Sequence, residues 1–155
     1  MKTIADLIAE HKFFQGLPPA DLEFLAGCAR NVHFETGQRL LTEGQPADEF
    51  FVIRSGRVVL GYHDPDRGDL VVDTLDGGDV VGWSWLFEPH RWHFDADAAE
   101  PVSAVAFDAT CLRAKCDSDM RLCYELTQRF ARLVVERLEA TRLRMLDVYG
   151  PVASR

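Results

Sequence analysis

The sequence lacks the features that would carry it to a membrane or out of a cell. Its N-terminus shows no basic stretch followed by an apolar core, so no secretory leader is expected. No apolar run approaches the roughly 18–20 residues that span a bilayer, which argues against a membrane partner. Cysteine is sparse: Cys28, Cys111, Cys116 and Cys123 lie without close pairing. Small secreted scaffolds are denser in cysteine. Reduced, packed thiols and a cytoplasmic location are therefore expected.

Grouped positive charge is missing as well. The net charge is −8, and residues 1–120 hold ten cations against 21 carboxylates. Only the segment 121–149 tips the other way, with six arginines against Glu125, Glu136, Glu139 and Asp147. Binding to a duplex needs clustered cations that displace counterions from phosphate, so DNA is not an expected partner. No Ser–His–Asp arrangement, phosphate-cradling Gly-rich loop or paired-carboxylate motif stands out. His63, His90 and His93 do not make the tight His-x-His set of a metal-binding roll. Cys111, Cys116 and Cys123 straddle the junction into the last helix, a poor geometry for one iron–sulfur cluster. The expectation is a protein that is not an enzyme and holds neither metal nor cofactor.

What remains is a chain of 155 residues, enough for one domain with a sizeable core. Residues 1–31 read as helical. Ile4, Leu7 and Ile8 recur at helical spacing, Gly16-Leu17-Pro18-Pro19 interrupts, and Asp21 starts a second helix with Leu22, Phe24, Leu25 and Cys28 on its apolar side. From 32 to 108 the texture is short apolar runs between turn residues: Arg39–Thr42, Glu49–Arg54, Arg57–Tyr62, Asp69–Thr74, Val80–Gly82 and Val102–Phe107. Asp64–Gly68 is a hairpin turn between two of them. Many short strands at even spacing predict an antiparallel β-roll, a jelly-roll-like barrel, and not a βαβ fold.

Residues 109–149 form the C-terminal helical segment. After Asp119 the pattern stays helical until Gly150-Pro151. Leu122, Leu126, Phe130, Leu133, Leu138, Thr141, Met145 and Val148 recur at about 3.5-residue spacing. A helix of about 29 residues reaches about 43 Å, more than a small roll covers. Its second half is expected to pair with another copy, making a homodimer.

The order of these pieces resembles the cyclic-nucleotide-binding domain, as found in the catabolite-activator family and in regulatory subunits of kinases and channels. Phe13-Phe14-x-Gly16-Leu17 is similar to the family's opening motif. Gly37, Glu43-Gly44, Asp48 and Phe51-Val52-Ile53-x-x-Gly56-x-Val58 resemble its strand-turn-strand core. Gly77-x-x-x-x-Gly82 resembles the approach to the ligand cassette, and Val105–Asp108 the strand that leaves it. The resemblance implies a sensor domain, here ending where the family's transcription factors begin their helix-turn-helix.

It also implies where a ligand would lie. The family's cassette begins Gly-Glu, forms a short helix and ends with an Arg. Backbone N–H groups and the guanidinium hold the cyclic phosphate, and the Glu accepts from the ribose. In residues 82–98 of this chain, Trp83 stands at the Glu position and Trp92 at the Arg position. Both polar anchors are gone. Arg91 lies one place early, on the opposite face of an extended segment. All three tryptophans, Trp83, Trp85 and Trp92, fall in this stretch. Either they rebuild the pocket for an aromatic or apolar small molecule, or they fill it. The candidate ligand-binding residues are Gly82, Trp83, Ser84, Trp85, Arg91, Trp92 and His93. The first reading is a non-enzymatic sensor of a small-molecule ligand other than a cyclic nucleotide. The alternatives are an adaptor with a filled pocket, or an atypical cyclic-nucleotide binder using Arg91.

Overall fold

The structure, a computed structural model, describes residues 1–149; of Val148 and Tyr149 only the backbone is described. The expected stop at Gly150-Pro151 lies outside these residues. The chain divides into two units, one from Met1 to Ser118 and one beginning at Asp119.

Two short helices open the first unit. α1 (Ile4–Glu10) starts with a capping box. The Asp6 N–H donates to Thr3 Oγ1 at 3.1 Å and the Thr3 N–H donates to Asp6 Oδ2 at 2.9 Å, which satisfies two N–H groups the helix itself cannot. A 3-10 turn at Lys12–Phe14 follows, and α2 (Pro19–Gly27) places Pro19 where its missing N–H costs nothing.

Eight strands then form two four-stranded antiparallel sheets rather than one closed barrel. The strands are β1 (Ala29–Phe34), β2 (Arg39–Leu41), β3 (Glu49–Ser55), β4 (Arg57–Asp64), β5 (Gly68–Asp76), β6 (Val80–Val81), β7 (Asp95–Ala98) and β8 (Val102–Asp108). One sheet runs β1-β8-β3-β6, the other β2-β7-β4-β5. The six expected strands are present with ends shifted by a few residues. β1 and β7 were not expected, because neither reads as an apolar run. β1 (ARNVHF) buries no residue fully, and in β7 (DADA) only the small Ala96 and Ala98 point inward.

The expected hairpin joins β4 to β5. Asp64 Oδ1 accepts from the N–H groups of Asp66 (2.8 Å) and Arg67 (3.0 Å) and closes the turn. Between β3 and β4, Gly56 has φ +100°, and a Cβ there would collide with the Pro101 carbonyl. No L side chain fits at that bend.

β3 is the centre of the core. Phe50, Phe51, Val52 and Ile53 are all at most 1% exposed, so both faces of this strand are covered. On one face an aromatic column runs from Trp85 onto Phe50 (5.0 Å between ring centres), from Phe50 onto Phe107 (4.9 Å) and on to Phe14 (5.3 Å). Such pairs add about 0.5–1.5 kcal/mol each beyond simple burial.

α3 (Ala109–Ser118) closes the unit, and one expectation about it needs correcting. Cys28 and Cys111 are joined in a disulfide with their Cα atoms 6.1 Å apart, while Cys116 and Cys123 carry thiols. Reduced thiols were expected for all four. The partners are 83 residues apart in sequence, and only the β1–β8 pairing, Ala29 opposite Phe107, brings them together.

The second unit holds α4 (Met120–Tyr149), capped at its start by Asp119, whose Oδ1 accepts from the Leu122 N–H at 3.1 Å. Of the expected apolar seam, Leu122, Leu126, Phe130 and Leu133 are buried, whereas Leu138, Thr141 and Met145 are exposed. No helix among the described residues is long and apolar enough to cross a membrane.

His11, 9% exposed, pins the first helix to β3. Its Nδ1 accepts from the Phe13 N–H and its Nε2 lies 3.2 Å from the Ile53 carbonyl, so the neutral ring with a proton on Nε2 satisfies both. Burial lowers its pKa below 6.5, and neighbouring Lys12 pushes the same way; the Ile53 carbonyl and Asp79 oppose them. The folded state thus prefers neutral histidine, while the unfolded chain takes a proton near pH 6.5. This contribution is complete above about pH 7.5 and falls as pH drops below about 6.5, by up to 1.4 kcal/mol per pH unit. Urea unfolding between pH 7.5 and 5 is expected to show that slope, and His11→Asn to flatten it. Equal slopes in both proteins would contradict the assignment.

Candidate functional site

The cassette is built from the end of β6 to the start of β7. Gly82 leaves β6 with φ +97°, and a 3-10 turn at Ser84–Leu86 follows. His90, with φ 55°, is the one non-glycine residue at positive φ among those described, and it turns the chain back. Residues 90–92 then run antiparallel to 44–47. The Ala47 N–H donates to the His90 carbonyl (2.7 Å), the Trp92 N–H to the Gln45 carbonyl (3.1 Å) and the Gly44 N–H to the Trp92 carbonyl (2.9 Å). With three backbone bonds around it, the position of Trp92 is fixed.

Its ring points inward and lies on Gly82. A Cβ built on Gly82 would sit 2.5 Å from Cζ3 and 2.7 Å from Cη2 of Trp92, with Leu41 Cδ1 next at 3.6 Å. Only a residue without a side chain can leave room for that ring. Trp92 is 6% exposed. About 20 Å³ of cavity remains, lined among others by Leu41, Leu60, Val81 and Phe94. That is room for about one water molecule.

The predicted site residues separate into three groups. Gly82, Trp83, Ser84, Trp92 and His93 all line this residual cavity. At its edge, Ser84 Oγ and His93 Nδ1 lie 2.9 Å apart. Trp85 does not line it: fully buried, it stacks on Phe50 at 12° between ring planes and belongs to the core. Arg91 is exposed, and its Nη1 donates to the Gly44 carbonyl at 2.8 Å. None of the described residues lining the cavity is an Arg or Lys.

The guanidinium of Arg39, in β2, borders the open groove described below and is already engaged. It donates to both carboxylate oxygens of Asp97 (2.9 and 3.3 Å) and lies 3.6 Å from Asp95. The Asp97 hydrogen bonds raise its pKa further and hold it cationic. A phosphate brought here would meet those two carboxylates as well.

Two structural features had no signal in the sequence. Leu41 and Leu60 wall the cavity from strands that read as ordinary alternating runs. Arg113 of α3 reaches across to the cassette: its Nη1 donates to the Trp85 carbonyl (2.9 Å) and the Ala47 carbonyl (3.2 Å), and its Nη2 lies 3.5 Å from Asp48. Separately, an open groove of about 850 Å³ lies on the other side of Trp92 and Leu41, bordered by Cys28, Arg30, Asp48 and Cys111.

Two sheets in this order, a cassette after β6 and helices at both ends define a cyclic-nucleotide-binding fold. The chain belongs to the cyclic nucleotide-binding domain family, whose sequence profile matches residues 31–119. It is 26% identical over 143 residues to the CRP-like cAMP-activated global transcriptional regulator of Mycobacterium tuberculosis, covering 92% of this chain and 62% of that protein. The chain thus spans less than two thirds of that relative's length. The acetyltransferase Pat of Mycolicibacterium smegmatis is 38% identical over 98 residues, 63% of this chain and 29% of its own. Among solved structures, a protein of Geobacter metallireducens GS-15 described as cyclic nucleotide-binding superposes with a TM-score of 0.79 at 26% identity, covering 89% of this chain and 99% of that one. The cAMP-binding acyltransferase of Mycobacterium smegmatis does so with a TM-score of 0.68 at 30% identity, covering 88% and 41%.

Proposed function

We propose that this chain is a non-enzymatic regulatory module in which Trp92 stands where a cyclic nucleotide would stand, and which acts through a dimer of its last helix. The observation that carries this reading is the Trp92 ring against Gly82, which leaves about 20 Å³. A cyclic nucleotide needs a cavity of several hundred Å³ and a cation for its phosphate. Inside the cassette neither is available unless Trp92 leaves, and Arg91 is held outside by Gly44.

A second reading has its own support. Trp83 is half-buried, and Ser84 and His93 place a hydroxyl and an imidazole beside the cavity. An aromatic or apolar small molecule could take the place of the Trp92 ring and use these groups as its polar handles. Gly82, Trp83, Ser84, Trp92 and His93 would then form its site.

The dimer rests on the second half of α4. Leu138 and Met145, one heptad apart on the same side of the helix, are 50% and 53% exposed, an apolar stripe that a second copy of the same helix would cover. Light scattering is expected to give twice the chain mass of 17.5 kDa, and Leu138→Asp to return it to the monomer. A monomeric parent protein would remove the dimer from the proposal.

Thermal unfolding with ligands tests the pocket. A ligand at about 100 times its dissociation constant stabilises a fold by about 2.7 kcal/mol, several degrees in Tm. Cyclic AMP at millimolar concentration is expected to leave Tm unchanged, and a saturable rise would overturn the proposal. Trp92→Ala should cost about 3–5 kcal/mol, and indole should restore part of it by refilling the hole. An increase in Tm of the parent protein with indole-like compounds would favour the second reading over the first.

A further inference from the structure

The Cys28–Cys111 pair lies outside the cassette and has no part in the function proposed above. It joins two segments that already meet through the fold. Cys28 follows α2 directly, its carbonyl accepting from the Asp108 N–H at 2.8 Å, and Cys111 lies in the first turn of α3. The backbone pairing of β1 with β8 holds these segments together without the disulfide.

What the bond does fasten is α3. The Ala109 N–H donates to the Asp48 carbonyl at 2.9 Å and Leu112 is buried, and three further side-chain contacts among the described residues hold that helix against its own unit. One is the disulfide to the end of α2. Another is Lys115, whose ammonium lies 5.0 Å from the centre of the Phe24 ring in α2. The third is Arg113, which reaches the Trp85 and Ala47 carbonyls of the cassette side. Two of the three attach α3 to α2, and one attaches it to the cassette.

The sulfurs are also within reach. Both cysteines border the open groove of about 850 Å³. Cys28 is buried at 7% exposure, whereas Cys111 is half-buried. Access to the attacked sulfur is one of the factors that set exchange rates.

We propose that Cys28 and Cys111 form a thiol–disulfide exchange site for a dithiol reductant, and that reduction loosens α3 while leaving the roll intact. A thiolate of the reductant attacks Cys111 Sγ through the groove, the Cys28–Cys111 bond breaks, and Cys28 leaves as a thiolate that takes up a proton. The second thiol of the reductant then displaces Cys111, which is protonated in turn. The protein gains two electrons and two protons, and the dithiol becomes a disulfide; a small disulfide oxidant reverses the sequence. Reduction removes the covalent tie of α3 to the end of α2 and leaves it the non-covalent contacts of Ala109, Arg113 and Lys115, so the redox state changes the helix that leads in sequence into Asp119 and α4.

The test uses the full chain. Air-oxidised protein, quenched in acid and then labelled with maleimide at neutral pH in denaturant, is expected to show two reactive thiols by mass, from Cys116 and Cys123. After dithiothreitol without denaturant it should show four. Hydrogen exchange in residues 109–118 should rise several-fold on reduction, with β3 and β8 unchanged. The double variant Cys28→Ser/Cys111→Ser should exchange like the reduced protein in either buffer. Four reactive thiols after oxidation would overturn the proposal, as would a bond that dithiothreitol opens only in denaturant. Reduction that leaves exchange in 109–118 unaltered would do the same.

Discussion

At positions 82 and 92 a glycine and an indole share one space. The Gly82 backbone turns with φ +97°, and the ring of Trp92 lies where a side chain at 82 would be. Neither residue makes sense alone. Without the ring, the chamber between the two sheets would be an open cavity rather than the remaining 20 Å³. With any side chain at 82, the ring could not lie there. The rest of the cassette supports this contact: the left-handed turn at His90 and the three backbone bonds between 44–47 and 90–92 fix where the indole goes in. Held in this way, the indole is core packing, and interior packing tolerates little change of volume.

The polar groups around the cassette agree with an apolar filling. Arg91 caps Gly44 from outside, Arg39 is taken up by Asp95 and Asp97, and Arg113 donates to two main-chain carbonyls. Each guanidinium serves the architecture of the roll. Trp85 extends the same logic into the core, since its stacking on Phe50 ties the cassette to the middle strand of the first sheet. Arg113 then ties the cassette to α3 through the carbonyl of that same tryptophan. A change in the cassette and a change in α3 are therefore felt at one residue.

The fold was legible where strands carry branched and aromatic residues in runs, as in Phe51-Val52-Ile53, and where a helix keeps one apolar spacing for many turns. β1 and β7 carry no such run, because their inward residues are few or small. Trp92 could be placed at the arginine position by counting from Gly82. The direction of its ring could not, because that depends on the Gly82 backbone angle and on Leu41 from a distant strand. Trp85 looked like a pocket residue by proximity and is a core residue by packing. The disulfide was illegible for a related reason, since only strand pairing shows that residues 28 and 111 meet.

The contact between Gly82 and Trp92 can be observed directly by proton NMR of the full chain. An α-proton of Gly82 that points at the indole should be displaced from its ordinary shift by the ring current and should give strong cross-relaxation to Hζ3 and Hη2 of Trp92. Trp92→Phe should weaken both signals and Trp83→Phe should leave them in place. An α-proton at its ordinary position, with no cross-relaxation to Trp92, would mean that the cassette is open and that the ring does not occupy the place of a ligand.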